Sequence, residues 1–255
     1  MDSMFKYRIS VLMDSGLSSA KALQNAAKLA KVLNGRVEVV CIKSPLSVVK
    51  QANQFSAKRD IYEDSRTVKT EIQGLISKIG EQEGLNISFQ ISYGNIKNKL
   101  KDYLITAEPD ILVLTKRKYK SLGGIEGKTN LLIMGDDDNF HSFKDISLGV
   151  FGETLQNTEV DIIKDLKRET SKPVRLFSIR KGKRKTEENE HQTNEAVTYV
   201  FSEGANALDG LTSYVKRTKT ELFCISKQKD GKSTFQNDQT DQILRKVNVP
   251  VLLIP

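Results

Sequence analysis

The chain is written twice. Residues 8–13 resemble residues 145–150, and residues 37–43 resemble residues 174–180, both at an offset of 137. A common offset across two strand-like segments and the helix between them marks an internal repeat. Further on, 89–94 parallels 199–204 at offset 110, 110–116 parallels 221–227 at 111, and 131–134 parallels 251–254 at 120. The offset falls by 27 and later rises by 9, so the second copy lacks a helix-sized piece early and the first a short piece late. The fold must therefore be one that half of this chain can build.

The elements follow from apolar periodicity. In copy one, 9–13 is a short apolar run expected as a buried strand. Leu23, Ala26, Ala27, Ala30 and Leu33 form a helical stripe over 18–33. Ser18 or Ser19 is the expected N-cap, and Gly35 the residue just beyond the helix. A second strand covers 37–42, and a long helix covers 57–82 through Ile61, Val68, Ile72, Leu75, Ile76 and Ile79. Then come a strand over 87–92, a helix over 95–107 through Ile96, Leu100, Tyr103 and Leu104, and strands over 111–115 and 131–134. The order βαβαβαββ, with strands apolar throughout, predicts a parallel, doubly wound α/β sheet. Copy two reads βαβ, a polar stretch, then βαβαβ, its last helix over 239–247. Where copy one has its long helix, copy two has the wholly polar 181–195, expected as an exposed loop. One sheet face of copy two then loses its cover, and the other copy is the nearest candidate to supply it. The joint falls at the acidic turn Asp136-Asp137-Asp138-Asn139, giving domains 1–139 and 140–255.

Composition narrows the function. Two cysteines, Cys41 and Cys224, cannot frame a disulfide scaffold, and both sit in strand patterns that predict burial. His141 and His191 are too few and too scattered for a histidine metal site or relay. No apolar run approaches the ~20 residues of a membrane span, so a soluble, cytoplasmic protein with no membrane partner is expected. The formal charge of +8 permits an anionic partner without requiring one. The clusters 116–120 and 180–185 would give salt-sensitive, sequence-independent contacts at most, so no specific nucleic acid is expected. Asp136–Asp138 lacks the spacing of a calcium loop, and Ser15, Ser18 and Ser19 lack the Gly-x-Ser-x-Gly elbow of a hydrolase.

A short strand running into Asp14, a Ser-rich entry to an Ala-rich helix, Gly35 before a Val-rich strand, Gly94 ahead of the third helix, Glu108-Pro109-Asp110 before the fourth strand, and the closing Asn248-Val249-Pro250-Val251-Leu252-Leu253-Ile254-Pro255 together resemble a universal stress protein domain. The resemblance covers both copies. It implies two Rossmann-like domains (adenine nucleotide alpha hydrolase-like) with parallel five-stranded sheets. It also implies that they pair through their last strands as an intramolecular pseudo-dimer. Homo-oligomers or a further protein partner are compatible with it.

Members that bind ATP carry an Asp after strand one and a Gly-x2-Gly-x9-Gly-Ser/Thr loop after strand four. Glycines there let backbone amides surround phosphates as an anion nest. In copy one Asp14 matches the first feature, and Ile42 matches the position whose backbone meets adenine. The loop from Thr115 and Lys116 onward departs from the pattern: its Gly-x2-Gly, Gly124 to Gly127, is displaced, and no Gly-Ser/Thr follows before strand five. Gly124–Thr129 is similar to the end of a P-loop, but Leu122 stands where the first glycine is required and a strand, not a helix, follows Lys128-Thr129. Lys116, Arg117, Lys118 and Lys128 could still gather round a phosphate at the carboxyl edge of the sheet, where open α/β sheets bind ligands. The candidate ligand residues are thus Asp14, Ile42, Thr115, Lys116, Gly124, Gly127, Lys128 and Thr129, for ATP or AMP in domain 1. In copy two Phe151-Gly152 replaces the Asp, and Asn237-Asp238 stand where Gly-Ser would be, so that site is expected to be lost.

The resemblance thus implies a tandem, non-enzymatic, stress-response binding or regulatory protein. Two alternatives stay open: a nucleotide-binding protein with weak ATPase activity through domain 1, and an anion-binding or interaction scaffold using the basic loops.

Overall fold

The computed structural model describes residues 5–13, 17–44, 54–125, 127–136, 138, 140, 142–152, 160–180, 196–204, 206–226 and 234–255. Of residues 17–18, 54–59, 180 and 234–239 it describes the backbone alone. Two compact units emerge, Met1–Thr129 and Asn130–Pro255.

Unit 1 holds β1 (Tyr7–Met13), α1 (Leu17–Leu33), β2 (Gly35–Lys43), α2 (Gln54–Glu83), β3 (Ile87–Tyr93), α3 (Ile96–Ala107), β4 (Ile111–Thr115) and α4 (Lys116–Leu122). Its strands run parallel in the order β3-β2-β1-β4. The switch of direction at β1, with β2 on one side and β4 on the other, is the doubly wound arrangement that the alternating pattern predicts. The core is built from the residues the stripe marks: Leu23, Ala26, Ala27, Ala30 and Leu33 of α1 are at most 3% exposed, against fully buried Ile9, Val11, Val39 and Ile111 to Leu114. Each such Val, Leu or Ile side chain contributes about 1.5–3 kcal/mol when removed from water.

Unit 2 holds β5 (Asn130–Met134), β6 (Leu148–Phe151), α5 (Asp161–Arg168), β7 (Val174–Arg180), β8 (Ala196–Ser202), α6 (Ala207–Arg217), β9 (Leu222–Ser226), α7 (Thr234–Lys246) and β10 (Val251–Ile254). Its order is β5-β10-β9-β6-β7-β8, parallel except that β5 runs antiparallel to β10. Among the described residues each repeat contributes five strands. The strand that closes the first repeat pairs with the strand that closes the second: Ile133 faces Val251, Leu132 faces Leu252 and Leu131 faces Leu253. The compact units therefore divide before β5, whereas the sequence repeat divides near 139.

Several local expectations change. Ser18 and Ser19 lie inside α1, which opens at Leu17, so neither caps it; Ser19 is buried at 2% exposure. The left-handed residue after α1 is Asn34 (φ 51°), and Gly35 is already in β2. Glycine fits closely there, since a Cβ would sit 3.1 Å from the Tyr7 carbonyl oxygen and 3.2 Å from Ile9 Cδ1, tighter than ordinary contact. The stretch after β4, expected as a loop, begins with the helix α4. Its Lys-rich sequence has no apolar stripe, and two local caps define it: Lys118 N–H donates to Thr115 Oγ1 at 3.3 Å, and Gly123 (φ 70°) closes its C-terminus.

Pairing registers correct the alignment of the copies. Ser10 lies opposite Glu38 and Leu112, and Gly149 lies opposite Arg175 and Phe223. Gly149 is thus the counterpart of Ser10, and the offset in strand one is 139, not 137. In strand three, Gln90 and Tyr199 are counterparts, opposite Val40 and Phe177, at offset 109 rather than 110. The counterpart of Asp14 becomes Glu153, not Phe151-Gly152: an acid follows strand one in both copies. A slip of two residues keeps the same face inward, so the apolar pattern alone does not detect it. A shared clip supports the new register. Asp110 donates its N–H to Arg8 O (3.0 Å) while its carboxylate accepts Arg8 N–H (2.7 Å). Glu221 does the same with Ser147 (2.9 and 2.8 Å).

The two units differ most on the sheet face under their third-strand helices. In unit 1 that face is polar: Tyr103 of α3 hydrogen-bonds Ser10 Oγ (2.6 Å) and donates to Glu38 Oε2 (2.7 Å). In unit 2 the counterpart tyrosine, Tyr214, meets Tyr199 and Phe201, each with centroids 5.6 Å away. Phe177 stacks on Tyr199 beneath them and edges onto Phe223. Gly149 makes room: a Cβ there would lie 2.8 Å from Thr220 Cγ2 and 2.9 Å from Phe223 Cδ2. On the opposite face Val200 stands 52% exposed. The polar 181–195 lies outside the described residues.

Candidate functional site

Every strand of unit 1 ends at the same edge, with Met13, Lys43, Tyr93 and Thr115 as last residues. Parallel strands fan apart at their carboxyl ends, and the loops there are free of sheet pairing, so this edge is the natural ligand site.

The expected ligand residues distribute along it unevenly. Asp14 lies outside the described residues. Ile42 is the penultimate residue of β2, 4% exposed and in register with Ser92 of β3. The carbonyl after it, Lys43 O, already accepts Gly94 N–H at 2.9 Å. Thr115 is 5% exposed, and its hydroxyl caps α4. Lys116 is the first residue of α4, half-buried and in contact with other groups. Gly124 (φ 93°) and Gly127 (φ 146°) have open space where a Cβ would stand, and both follow α4. Lys128 is exposed and Thr129 half-buried at the approach to β5. The seven residues of α4 span about 10 Å of helix, so Thr115 and Lys116 are separated from the glycines by that whole element. The third helix comes back to them: Lys97 Nζ lies 3.5 Å from where a Gly123 Cβ would be.

In unit 2, residues 227–233, which include Gly231, lie outside the described residues. Asn237 and Asp238 fall within α7, which opens at Thr234. In sequence, Glu153 stands at the offset of 139 from Asp14, and both residues lie outside the described ones.

A polar cluster at this edge was not anticipated from sequence. Lys43 Nζ of β2 pairs with Asp64 of α2 at 2.8 Å, and Tyr93 of β3 donates its hydroxyl to Asp64 Oδ2 at 2.7 Å. The last residues of β2 and β3 are thereby tied to the body of α2. Burial raises the Asp64 carboxyl, but the hydrogen bonds from Lys43 and Tyr93 and the Lys43 charge outweigh it, and the group titrates below its ordinary 3.8. Burial, and then the Asp64 hydrogen bond, push Tyr93 up to about 12. The signal in the sequence was two polar residues closing apolar strands and an acid within a long helix, which look alike whether solvated or paired.

The sign of the linkage follows. A lowered carboxyl contributes stability that is present above 3.8 and lost as pH falls through the lower folded value. A raised tyrosine contributes stability present below 10.0 and lost as pH rises towards 12. Asp64→Asn is expected to lower the urea midpoint at neutral pH and to flatten its fall below pH 4, read from denaturation curves at stepped pH. Identical slopes for the two proteins would contradict this.

Both cysteines are buried, and burial pushes the Cys224 thiol up to about 12, which leaves it inert as a nucleophile. Among the described residues no three His, Cys, Asp or Glu side chains gather to hold a metal ion. Among them too, no helix is long and apolar enough to cross a membrane. At the opposite, amino edge of β3 lies an open cleft of about 560 Å³ between α2 and Ile87 and Phe89.

No protein-family model and no curated protein sequence matches the chain. Solved structures do match its fold from end to end. A universal stress protein from Archaeoglobus fulgidus DSM 4304 superposes with a TM-score of 0.72 at 12% identity, over 98% of this chain and 99% of that one. A protein described as a universal stress protein, from Pseudomonas aeruginosa UCBPP-PA14, gives 0.61 at 10% identity, over 99% and 95%. A protein of unknown function from Pseudomonas aeruginosa PAO1 gives 0.60 at 10% identity, over 100% and 94%. At such identities the likeness establishes the shared fold.

Proposed function

We propose that the chain is a tandem universal stress protein that acts by binding rather than by catalysis, with no triphosphate cradle in either unit. The fold shared along the whole length and the acid that follows strand one in both copies support the family reading. The observation that carries the functional reading is α4. An ATP-binding member needs glycine amides directly after strand four. Here that place is taken by the helix α4, and the Thr115 hydroxyl already accepts the Lys118 N–H that a phosphate would otherwise meet. The glycines come afterwards, and Gly123 is consumed in closing the helix.

Millimolar ATP, with or without magnesium, is expected to leave the thermal midpoint unchanged. A specific ligand at a hundred times its Kd would add roughly 2.7 kcal/mol by mass action, which a thermal-shift assay resolves easily. A saturable upward shift would overturn the proposal. It would support the second reading, a mononucleotide site in unit 1, favoured by the open left-handed amides at Gly124 and Gly127 beside Lys128. AMP and ADP run in parallel would show how much of the phosphate chain is read.

A further inference from the structure

We infer that the free edge of β3 is a self-pairing surface: β3 of one copy of this chain adds antiparallel to β3 of a second copy, beside the cleft that each copy holds between α2 and β3. The inference goes beyond the proposed function and does not depend on it.

β3 ends the strand order, and β2 is its one strand neighbour among the described residues. Gly94 donates its N–H to Lys43 O of β2 at 2.9 Å. Successive peptide groups of an extended chain turn to opposite sides. Ser88, Gln90 and Ser92, in phase with Gly94, therefore bond β2, whereas Ile87, Phe89, Ile91 and Tyr93 turn their N–H and C=O groups to the bare side. Edge strands are ordinarily blunted by a lysine, a proline or a bulge. β3 has no charge and no proline, and its seven residues pair with β2 without interruption.

The cleft of about 560 Å³ opens along this same edge. Ile76, Ile87 and Phe89 give it apolar walls, and on α2 the small residues Ser77 and Gly80 leave it unfilled. A Cβ at Gly80 would lie 2.8 Å from Leu85 O. An extended strand with apolar side chains at alternate positions fits such an edge, and β3 is itself such a strand. In the antiparallel register that overlaps all seven residues, a twofold axis passes at Gln90. Ile87 then faces the partner's Tyr93, and Phe89 faces the partner's Ile91. These residues carry the outward amides, so each pair exchanges two hydrogen bonds. On the other face Ser88 meets the partner's Ser92, and Gln90 meets the partner's Gln90. Apolar side chains face apolar ones and polar face polar, which a slip of one residue would undo.

The charges beyond the strand agree. Glu81, exposed on the rim of the cleft at the amino end of β3, makes no ion pair with a described residue. Lys97 and Lys99, exposed beyond its carboxyl end, make none either. Lys99 lays its stem on Gly94, with Cγ 3.0 Å from where a Cβ would stand. Antiparallel pairing brings the basic end of each strand to the acidic end of the other. Hydrogen-bond phase, hydropathy and end charge are all self-complementary, which selects a second copy over a strand of another protein. An isologous contact of this kind closes as a dimer.

The strand spans about 23 Å, and a contact of one strand lies at the small end of specific interfaces, so a micromolar dimer is expected. Sedimentation equilibrium of the full chain across the micromolar range should give a mass rising from one chain to two. The variant S88K/S92K sets lysine opposite lysine at both outer polar pairs and is expected to weaken the dimer at least about tenfold. S88K/S92E sets lysine opposite glutamate at the same pairs and should dimerise at least as tightly as the parent. The two variants share Lys at position 88 and differ in one charge, so a folding defect from that lysine would appear in both. A parent that stays monomeric across the range would overturn the inference, as would equal dissociation constants for the two variants. Amide exchange read by NMR is an independent measure. The Phe89 and Ile91 amides should slow as concentration rises, while Ser88 and Gln90 stay protected throughout. A dimer that leaves Phe89 and Ile91 unchanged pairs elsewhere and would also overturn it.

Discussion

A chain ended at Asn248 is expected to lose the cooperative unfolding of unit 2 altogether. The truncation removes β10, whose side chains Val251, Leu252, Leu253 and Ile254 are 0–4% exposed. At about 1.5–3 kcal/mol each, their burial amounts to roughly 6–12 kcal/mol, comparable with the whole stability of an ordinary domain at about 5–15 kcal/mol. The loss is also topological. β10 is bonded on both sides, parallel to β9 through four residue pairs and antiparallel to β5 through three. Pro250 O additionally accepts Phe223 N–H at 3.0 Å. Without it, two long apolar edges lie bare, a template for aggregation. Circular dichroism melts and size-exclusion chromatography would show reduced amplitude and high-mass species. A truncated chain that melts with the parent's amplitude and midpoint would show that β10 is dispensable.

Phe177→Ala is expected to destabilise unit 2 by about 3–5 kcal/mol, the range for emptying a fully buried aromatic site. Phe177 is 0% exposed. Its ring stacks on Tyr199 at 5.2 Å and 25°, and meets Phe223 edge-on at 5.6 Å and 69°. Gly149 on the neighbouring strand has no side chain with which to fill the vacated volume. Val40, its counterpart in unit 1 by register, is 2% exposed between Leu12 and Gln90, with no aromatic ring opposite it on either strand. Val40→Ala, which removes fewer atoms, should cost less. Urea unfolding of the two variants tests this directly: similar losses at 177 and 40 would mean that the aromatic cluster contributes nothing beyond its buried area.

These two positions also show what could be read in advance. The burial of Val40, Phe177 and the β10 residues was legible, because an unbroken apolar run has no other stable place. The same logic located α1, α2 and α3 within a few residues. It failed for α4, whose Lys-rich stretch carries no stripe and whose start and end depend on a threonine cap and a left-handed glycine. It also misplaced strand one of the second copy by two residues, since a slip of two leaves the inward face unchanged. Of the candidate site, the carboxyl edge of the sheet could be located from the order of strands. The Lys43–Asp64–Tyr93 tie could not, because nothing local distinguishes a paired polar residue from a solvated one.

The sequence by itself therefore determined the repeat, the order of elements and the identity of the core, all of which are carried by the spacing of residues close together in the chain. Tertiary structure alone decided four things. It gave β5 to the second unit and set the two copies in register. It made the face under Tyr103 polar and the one under Tyr214 aromatic, and it brought Lys97 over the end of α4. Each of these rests on contacts between residues far apart in sequence, whose energies no local pattern records.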